Sequence, residues 1–598
     1  MRSCSRHRGI VSRDERESPD PSATREGRDD EAPRKQAERS SRHDSAHTDW
    51  TRRTDPPSDM RTLAMIAAIA GGIWSLMPSV AAAPAMYSAV AVQYTPVGDY
   101  ATPPWQSLSS NIDRLGPILD QAHKFGAMVA VVPEGALGMF TAEDVNTRDA
   151  MLPYCTQVGE VGSSPCEEMG PAGPGNSTLY QLWRASCLAR ESELTLVINL
   201  CETRACYANE SSICPSDGRW QWNTELAFSP MGTLQMKYHK AHLFGGSGVF
   251  DQATPVPTTF ETGGGFLFGS FICFDLMFAH PALDLVAAGI KDVVFSSWWV
   301  NAAPSFDAVM AQQAWSRVNK VNLIAANTGS NPANAGGGIY ASGEPMNTFF
   351  NSTAADGVTE ILFATLPPNS AETDESSDAE TIDELQPADA SPTLLTDLTY
   401  TPCLPNVVTF ALANCTLFTA ADLRARAAAL AVPETSSLSI PVSQGNISCV
   451  VSLALSASAT ANDSEVFAVM ALQGVEQFPY TPGALSLQVC ALQHCVVPPG
   501  SLVPVCAGAF DAYQTRLDSF SMQMRGMDPA AASFPMLGID DGQVTSTLLA
   551  EYQDFNPRGT GERVVQWSSS QRFQNQSLYA AVIYAVRPTA TDSQKGEN

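Results

Sequence analysis

Residues 265–278 read GFLFGSFICFDLMF. The apolar run from Phe266 to Ile272, entered through Gly263, Gly264 and Gly265, predicts a short buried strand. The run stops at Cys273, and Asp275, a residue type that caps helices, follows two positions later. The spacing places Cys273 at a strand-to-helix turn, where its side chain and the N–H of Phe274 can face one pocket. Alone, the stretch fits a buried structural cysteine as well as a nucleophile. The rest of the chain decides between them.

Strands and helices alternate on both sides of this stretch. Tyr87–Gln93 reads as a strand. Residues 105–125 carry Leu108, Ile112, Leu115, Ile118 and Leu119 at helical spacing. Residues 127–132 are a continuous apolar run that ends in Pro133-Glu134-Gly135. A carboxylate just beyond a buried strand is where α/β folds place reactive groups, although a solvated turn explains it equally well. Residues 194–200 read as a strand, 217–224 as a turn into a strand at 225–228, and 234–238 as the returning strand. Lys240 stands just past that strand, a position where lysines are usually exposed. Beyond Cys273 come a helix at 282–288, a strand at 292–297, the pair Trp298-Trp299, a helix at 305–318 and strands near 323–326 and 336–341. This alternation predicts an α/β domain over residues 87–365.

The flanking regions differ in composition. Residues 1–59 are polar and charged and cannot bury a core, so they read as a disordered tail. Residues 60–86 hold an uncharged apolar run behind Arg61 and before small residues, the pattern of a signal peptide, or of a signal anchor if left uncleaved. Met60 is a possible start. Residues 366–393 form an acidic linker without periodicity. Residues 394–598 show short β-like runs, among them 407–412, 449–455 and 564–567, and predict a β-rich second domain. No EF-hand loop spacing occurs there.

The chain has 598 residues, 44% hydrophobic and 16% charged, with a formal net charge of -27. That charge argues against nucleic acid or an anionic membrane surface as the main partner. Of 14 cysteines, Cys4 lies in the polar tail and thirteen follow the apolar run. The absence of any CxxC pair speaks against zinc ribbons and thioredoxin-type chemistry, and favours disulfides in an oxidising compartment. An odd number leaves one thiol over, and Cys273 is the candidate because the others lie mostly in polar, loop-like sequence. Sequons at Asn176, Asn209, Asn351, Asn414, Asn446, Asn462 and Asn575 point to the same glycosylated, exported class.

Glu134, Lys240 and Cys273 each end a predicted strand. The motifs around them, VVPEGALG (131–138), DGRWQWNT (217–224), KYHKAHLF (237–244), FICFDLMF (271–278) and GGGIYA (336–341), resemble the vanin/biotinidase branch of the nitrilase, or carbon–nitrogen hydrolase, superfamily. The resemblance implies a four-layer α-β-β-α sandwich followed by a β-rich domain. It also implies a Glu134–Lys240–Cys273 triad with the Phe274 N–H at the oxyanion. The expected chemistry is secreted, cofactor- and metal-free hydrolysis of a small linear amide, pantetheine-like or biotinyl. By the same resemblance Trp298, Trp299 and Asn301 line the substrate pocket. One departure is that 245–252 (GGSGVFDQ) lacks the glutamate many members carry after the lysine motif, which leaves Asp251 as a substitute. Two rivals stand beside this reading. One is a Cys–His hydrolase using His242 or His280 as base; the other is a non-catalytic binding protein on the same fold. HExxH-type metal chemistry has no motif here, since His239 and His242 are three apart with no carboxylate between.

Overall fold

The structure is a computed structural model. It describes residues 86–367 apart from 98–101, 139–146, 245–247, 263, 302–306, 330–333 and 351–357. Beyond these it describes 393–394, 401–402, 413–433, 437–456, 464–476, 485–497, 499–500, 504, 517–527, 532–540, 544–546, 551–555, 563–569 and 577–587. The expected polar tail, signal segment, most of the acidic linker and the strand at 407–412 lie outside the described residues.

The first half is built from strands β1 (Tyr87–Gln93), β2 (Val129–Val131), β3 (Thr195–Ala205), β4 (Arg219–Phe228), β5 (Leu234–His239), β6 (Thr258–Glu261), β7 (Leu267–Ile272), β8 (Asp292–Ser296), β9 (Asn322–Ala326), β10 (Gly337–Ala341), β11 (Glu344–Phe349) and β12 (Glu360–Leu366). They form two sheets, ordered β12-β1-β2-β3-β4-β5 and β11-β10-β9-β8-β7-β6. In each, a parallel trio (β1, β2, β3 and β7, β8, β9) is flanked by antiparallel strands.

Strand alternation separates the layers. Tyr87, Ala89 and Ala91 share a core with Phe268, Ile272 and Val294 of the second sheet. Val90 and Val92 face the other way, toward the helices α1 (Pro104–Lys124) and α2 (Leu179–Glu191), and share a core with Ile112 and Leu115 of the first and Leu182 and Leu188 of the second. The opposite side of the second sheet is covered by α3 (Ala282–Ala287) and α4 (Ala308–Asn319), with Phe271 against Trp315 at 5.0 Å between ring centroids. The result is the expected α-β-β-α order. Polar pairs lock the two sheets together, with the Tyr87 hydroxyl donating to Asp292 at 2.6 Å and Ser296 donating to the Val132 carbonyl at 2.8 Å. The GGGIYA glycines have a packing reason, because a Cβ on Gly337 would collide with the Gln93 side chain across the sheets.

The predicted elements match closely, with one difference that matters for the site. β3 runs on to Ala205 and β4 starts at Arg219, so most of DGRWQWNT is strand rather than turn. The ladder is unbroken from Leu196↔Phe228 to Ala205↔Arg219. Aromatic residues favour such a surface, and the turn shrinks to Asp217-Gly218.

Among the described residues of the second half, two further antiparallel-rich sheets are present. One contains Leu438–Gln444, Ile447–Leu455 and Leu517–Met527, and the other Asn414–Thr419, Glu465–Glu476, Leu485–Val496 and Ser577–Arg587. Phe418, Val451, Phe467 and Met522 are buried between them. Disulfides join Cys155–Cys201, Cys166–Cys187, Cys206–Cys214 and Cys449–Cys490, and Cys415 and Cys495 are also disulfide-bonded. Among the described residues Cys273 is the free thiol, as parity and context suggested.

Candidate active site

Glu134 follows β2, Lys240 follows β5 and Cys273 follows β7, and the sandwich brings all three together in its interior. Lys240 Nζ donates to Glu134 Oε1 at 2.6 Å. Asn223 Nδ2 donates to the same oxygen at 2.7 Å, and the Trp298 N–H donates to Oε2 at 3.0 Å. The Cys273 thiol donates to the Trp298 carbonyl at 3.6 Å and feels the nearby charge of Glu134. Each of the three residues is at most 5% exposed.

Cys273 has φ of 45°, a left-handed backbone that a non-glycine residue rarely adopts. It opens the 3-10 helix Cys273–Met277, so the strand ends in a sharp turn that presents the sulfur beside the next N–H, that of Phe274. Asp275 ties this turn to the lysine loop. Its Oδ2 accepts from the Ile272 N–H at 3.1 Å and the Tyr238 hydroxyl at 2.7 Å. Its Oδ1 accepts from the His242 N–H at 2.8 Å.

Burial and then the Glu134 charge push the Cys273 thiol up, and Lys240 only partly offsets them. Burial alone would lower Lys240, but the charge of Glu134 and its hydrogen bond outweigh it and hold the ammonium above its usual range. Burial thus favours the protonated form of the sulfur.

The other sequence candidates are placed as follows. Trp298 meets the site through its peptide group. Trp299 is 3% exposed, with its N–H on Asn327 Oδ1 at 3.0 Å. Asn301 braces the start of α4, accepting from the Ala308 N–H at 2.8 Å and donating to the Ala335 carbonyl at 2.6 Å. Asp251 accepts from Arg148 at 2.8 Å and from the Gln221 N–H at 2.7 Å, so both carboxylate oxygens serve the loop rather than the triad. His242 Nδ1 is paired with Asp275 at 2.9 Å, and His280 is 48% exposed beside Asp284.

Sequence reasoning missed the support beneath Glu134. Asn199 Nδ2 donates to Asn223 Oδ1 at 2.7 Å, and the Gly135 N–H donates to Asn199 Oδ1 at 3.0 Å. Asn223 lies inside a quoted motif, and reading that motif as strand would have aimed it at Glu134. A hydrogen bond to a charged group contributes about 1.5–3 kcal/mol. Asn223→Ala should therefore lower kcat roughly 10- to 100-fold with KM little changed, measured by steady-state kinetics; a change in KM alone would contradict this positioning role.

A carbon–nitrogen hydrolase profile matches residues 89–339. Pantetheinase from Mus musculus is 33% identical over 265 residues, 43% of this chain and 49% of that protein. Biotinidase from Takifugu rubripes is 28% identical over 432 residues, 69% of this chain and 78% of that protein. The chain thus spans about half the length of the first pantetheinases it matches. An amidase structure from Nesterenkonia sp. aligns at 17% identity and a TM-score of 0.33, covering 47% of this chain and 90% of that one. Residues 89–339 thus form a carbon–nitrogen hydrolase (nitrilase-type) domain, and the chain is similar to pantetheinases and a biotinidase.

Proposed function

We propose that this protein is an exported amidohydrolase that cleaves a linear secondary amide, pantetheine-like or biotinyl, through a thioester on Cys273. The observation that carries the reading is the convergence of one acid, one ammonium and the free thiol from three separate strand ends. Glu134 takes the thiol proton as sulfur attacks the carbonyl carbon. The oxyanion that develops is held by Lys240 and the Phe274 N–H, each such donor contributing about 3 kcal/mol in comparable sites. Glu134 then returns the proton to the departing amine. A water deprotonated by Glu134 attacks the thioester and releases the acid and the thiol.

Export is supported by the disulfides, which persist in oxidising compartments. The test is hydrolysis of pantetheine and biocytin side by side by the purified chain and by Cys273→Ala. The expected result is amine release from at least one substrate by the parent chain and none by the variant. Equal rates for the two proteins, or no release from either substrate, would overturn the reading.

A further inference from the structure

Successive residues of β4 and β5 face opposite ways. Asn223 and Lys240 point at Glu134, so Trp222 and His239 point to the other face of the same sheet. There a cavity of about 620 Å³ opens, lined by Glu202, Arg204, Tyr207, Trp222, Lys237 and His239 among others. Its size is that of a small-ligand site. Trp222 stacks on His239 at 4.2 Å and on Trp220 at 5.4 Å, and the Arg204 guanidinium lies 4.0 Å from the Tyr207 ring centroid. Glu202, whose side chain is 2% exposed, accepts from Lys237 at 3.2 Å and pairs with His239 at 2.8 Å. The charges of the floor are thus matched internally. What the opening offers an occupant is the exposed Tyr207 ring beside the partly exposed Arg204, Lys237 and His239 side chains, a surface that suits the apolar faces and hydroxyls of a sugar better than an ion.

A sequon stands at the rim. Asn209-Glu210-Ser211 lies within the loop closed by Cys206–Cys214, and Asn209 is exposed. The middle residue of the sequon is clamped to the cavity wall, with Glu210 accepting from Arg204 at 2.7 and 3.0 Å and from the Tyr207 N–H at 2.6 Å. Asn209 is therefore held at a fixed place beside two lining residues.

We propose that the core sugars of an N-linked glycan on Asn209 dock in this cavity. The inference rests on the exported reading above. In the modification, a bond forms between Asn209 Nδ2 and the anomeric carbon of an oligosaccharide. The bond from that carbon to a diphosphate-lipid carrier breaks, and the amide proton leaves with the diphosphate. The docked sugars buttress the outer face of the strands whose inner face holds Asn223 and Lys240.

The test uses the full chain secreted from a glycosylating host and reads glycan release site by site, by mass spectrometry, under native digestion with an amidase that removes N-glycans. Asn446, exposed at a hairpin turn, is the internal reference. Release at Asn209 should be at least about tenfold slower than at Asn446, because the docked sugars must first open. Tyr207→Ala, a change at a 58% exposed rim residue, should remove the difference. Equal release in the parent chain, or modification at Asn446 with none at Asn209, would overturn docking alone. No modification at any sequon would overturn the exported reading and docking together, and neither result bears on turnover of amides.

Discussion

Glu134→Gln lowers kcat for amide hydrolysis by about 10³- to 10⁴-fold, the upper range for loss of a general base. The carboxylate accepts from Lys240, Asn223 and the Trp298 N–H, using both oxygens. An amide can offer only one acceptor oxygen. If that oxygen faces Lys240 and Asn223, the new NH₂ opposes the Trp298 N–H. The ammonium of Lys240, 4% exposed, then has lost its counter-charge. Breaking one side of a buried pair costs about 3–5 kcal/mol, so the variant should also unfold at lower temperature. A steady-state assay beside a thermal melt checks both effects. The same variant separates the rival base. His280 lies on the surface with Asp284, and His242 Nδ1 is engaged by Asp275. A Cys–His mechanism would leave Glu134→Gln with more than about a tenth of the parent rate, and that outcome would sink the triad.

Much of this site was legible in the chain because each of its three groups directly follows a short apolar strand, and strand ends are readable from hydrophobic runs. The run 127–132 located Glu134, the returning strand 234–238 located Lys240, and 266–272 located Cys273. What was not legible depends on contacts between strands. Asn199 and Asn223 stand on neighbouring strands, and only the register Cys201↔Asn223 brings them together. Asp275 looked like a cap because local sequence shows only its own turn. Its bonds to Tyr238 and His242 come from a strand of the other sheet and the loop that follows it. Trp299 and Asn301 illustrate the converse. Both follow the strand end that carries Trp298, yet one packs in the core and the other braces a helix, a distinction set by backbone path rather than by residue type.

Glu225→Gln should stabilise the fold by about 3 kcal/mol at pH 7, with the sign set by linkage. Glu225 sits on β4 opposite Tyr238 and is fully buried between the sheets. Ser270 donates to its Oε1 at 3.0 Å, while Oε2 has no well-formed hydrogen bond. Burial comes first among the causes that push its carboxyl up from 4.5 to about 8; the Ser270 and Ser296 hydroxyls oppose it, and the charges of Glu134 and Asp275 add to it. Below about pH 4.5 both folded and unfolded chains hold this proton, and the group costs nothing. Between about 4.5 and 8 the folded chain keeps a proton that the unfolded chain has released, so stability falls as pH rises, by about 1.4 kcal/mol per unit. At pH 7 the accumulated cost is about 3 kcal/mol. Glutamine carries no such proton and can still accept from Ser270. Urea unfolding at pH 5, 7 and 8.5 should therefore show the two proteins nearly equal at the lowest pH and separating as pH rises. Parallel stability curves would mean that Glu225 is ionised in the folded chain and that its charge is balanced by its surroundings.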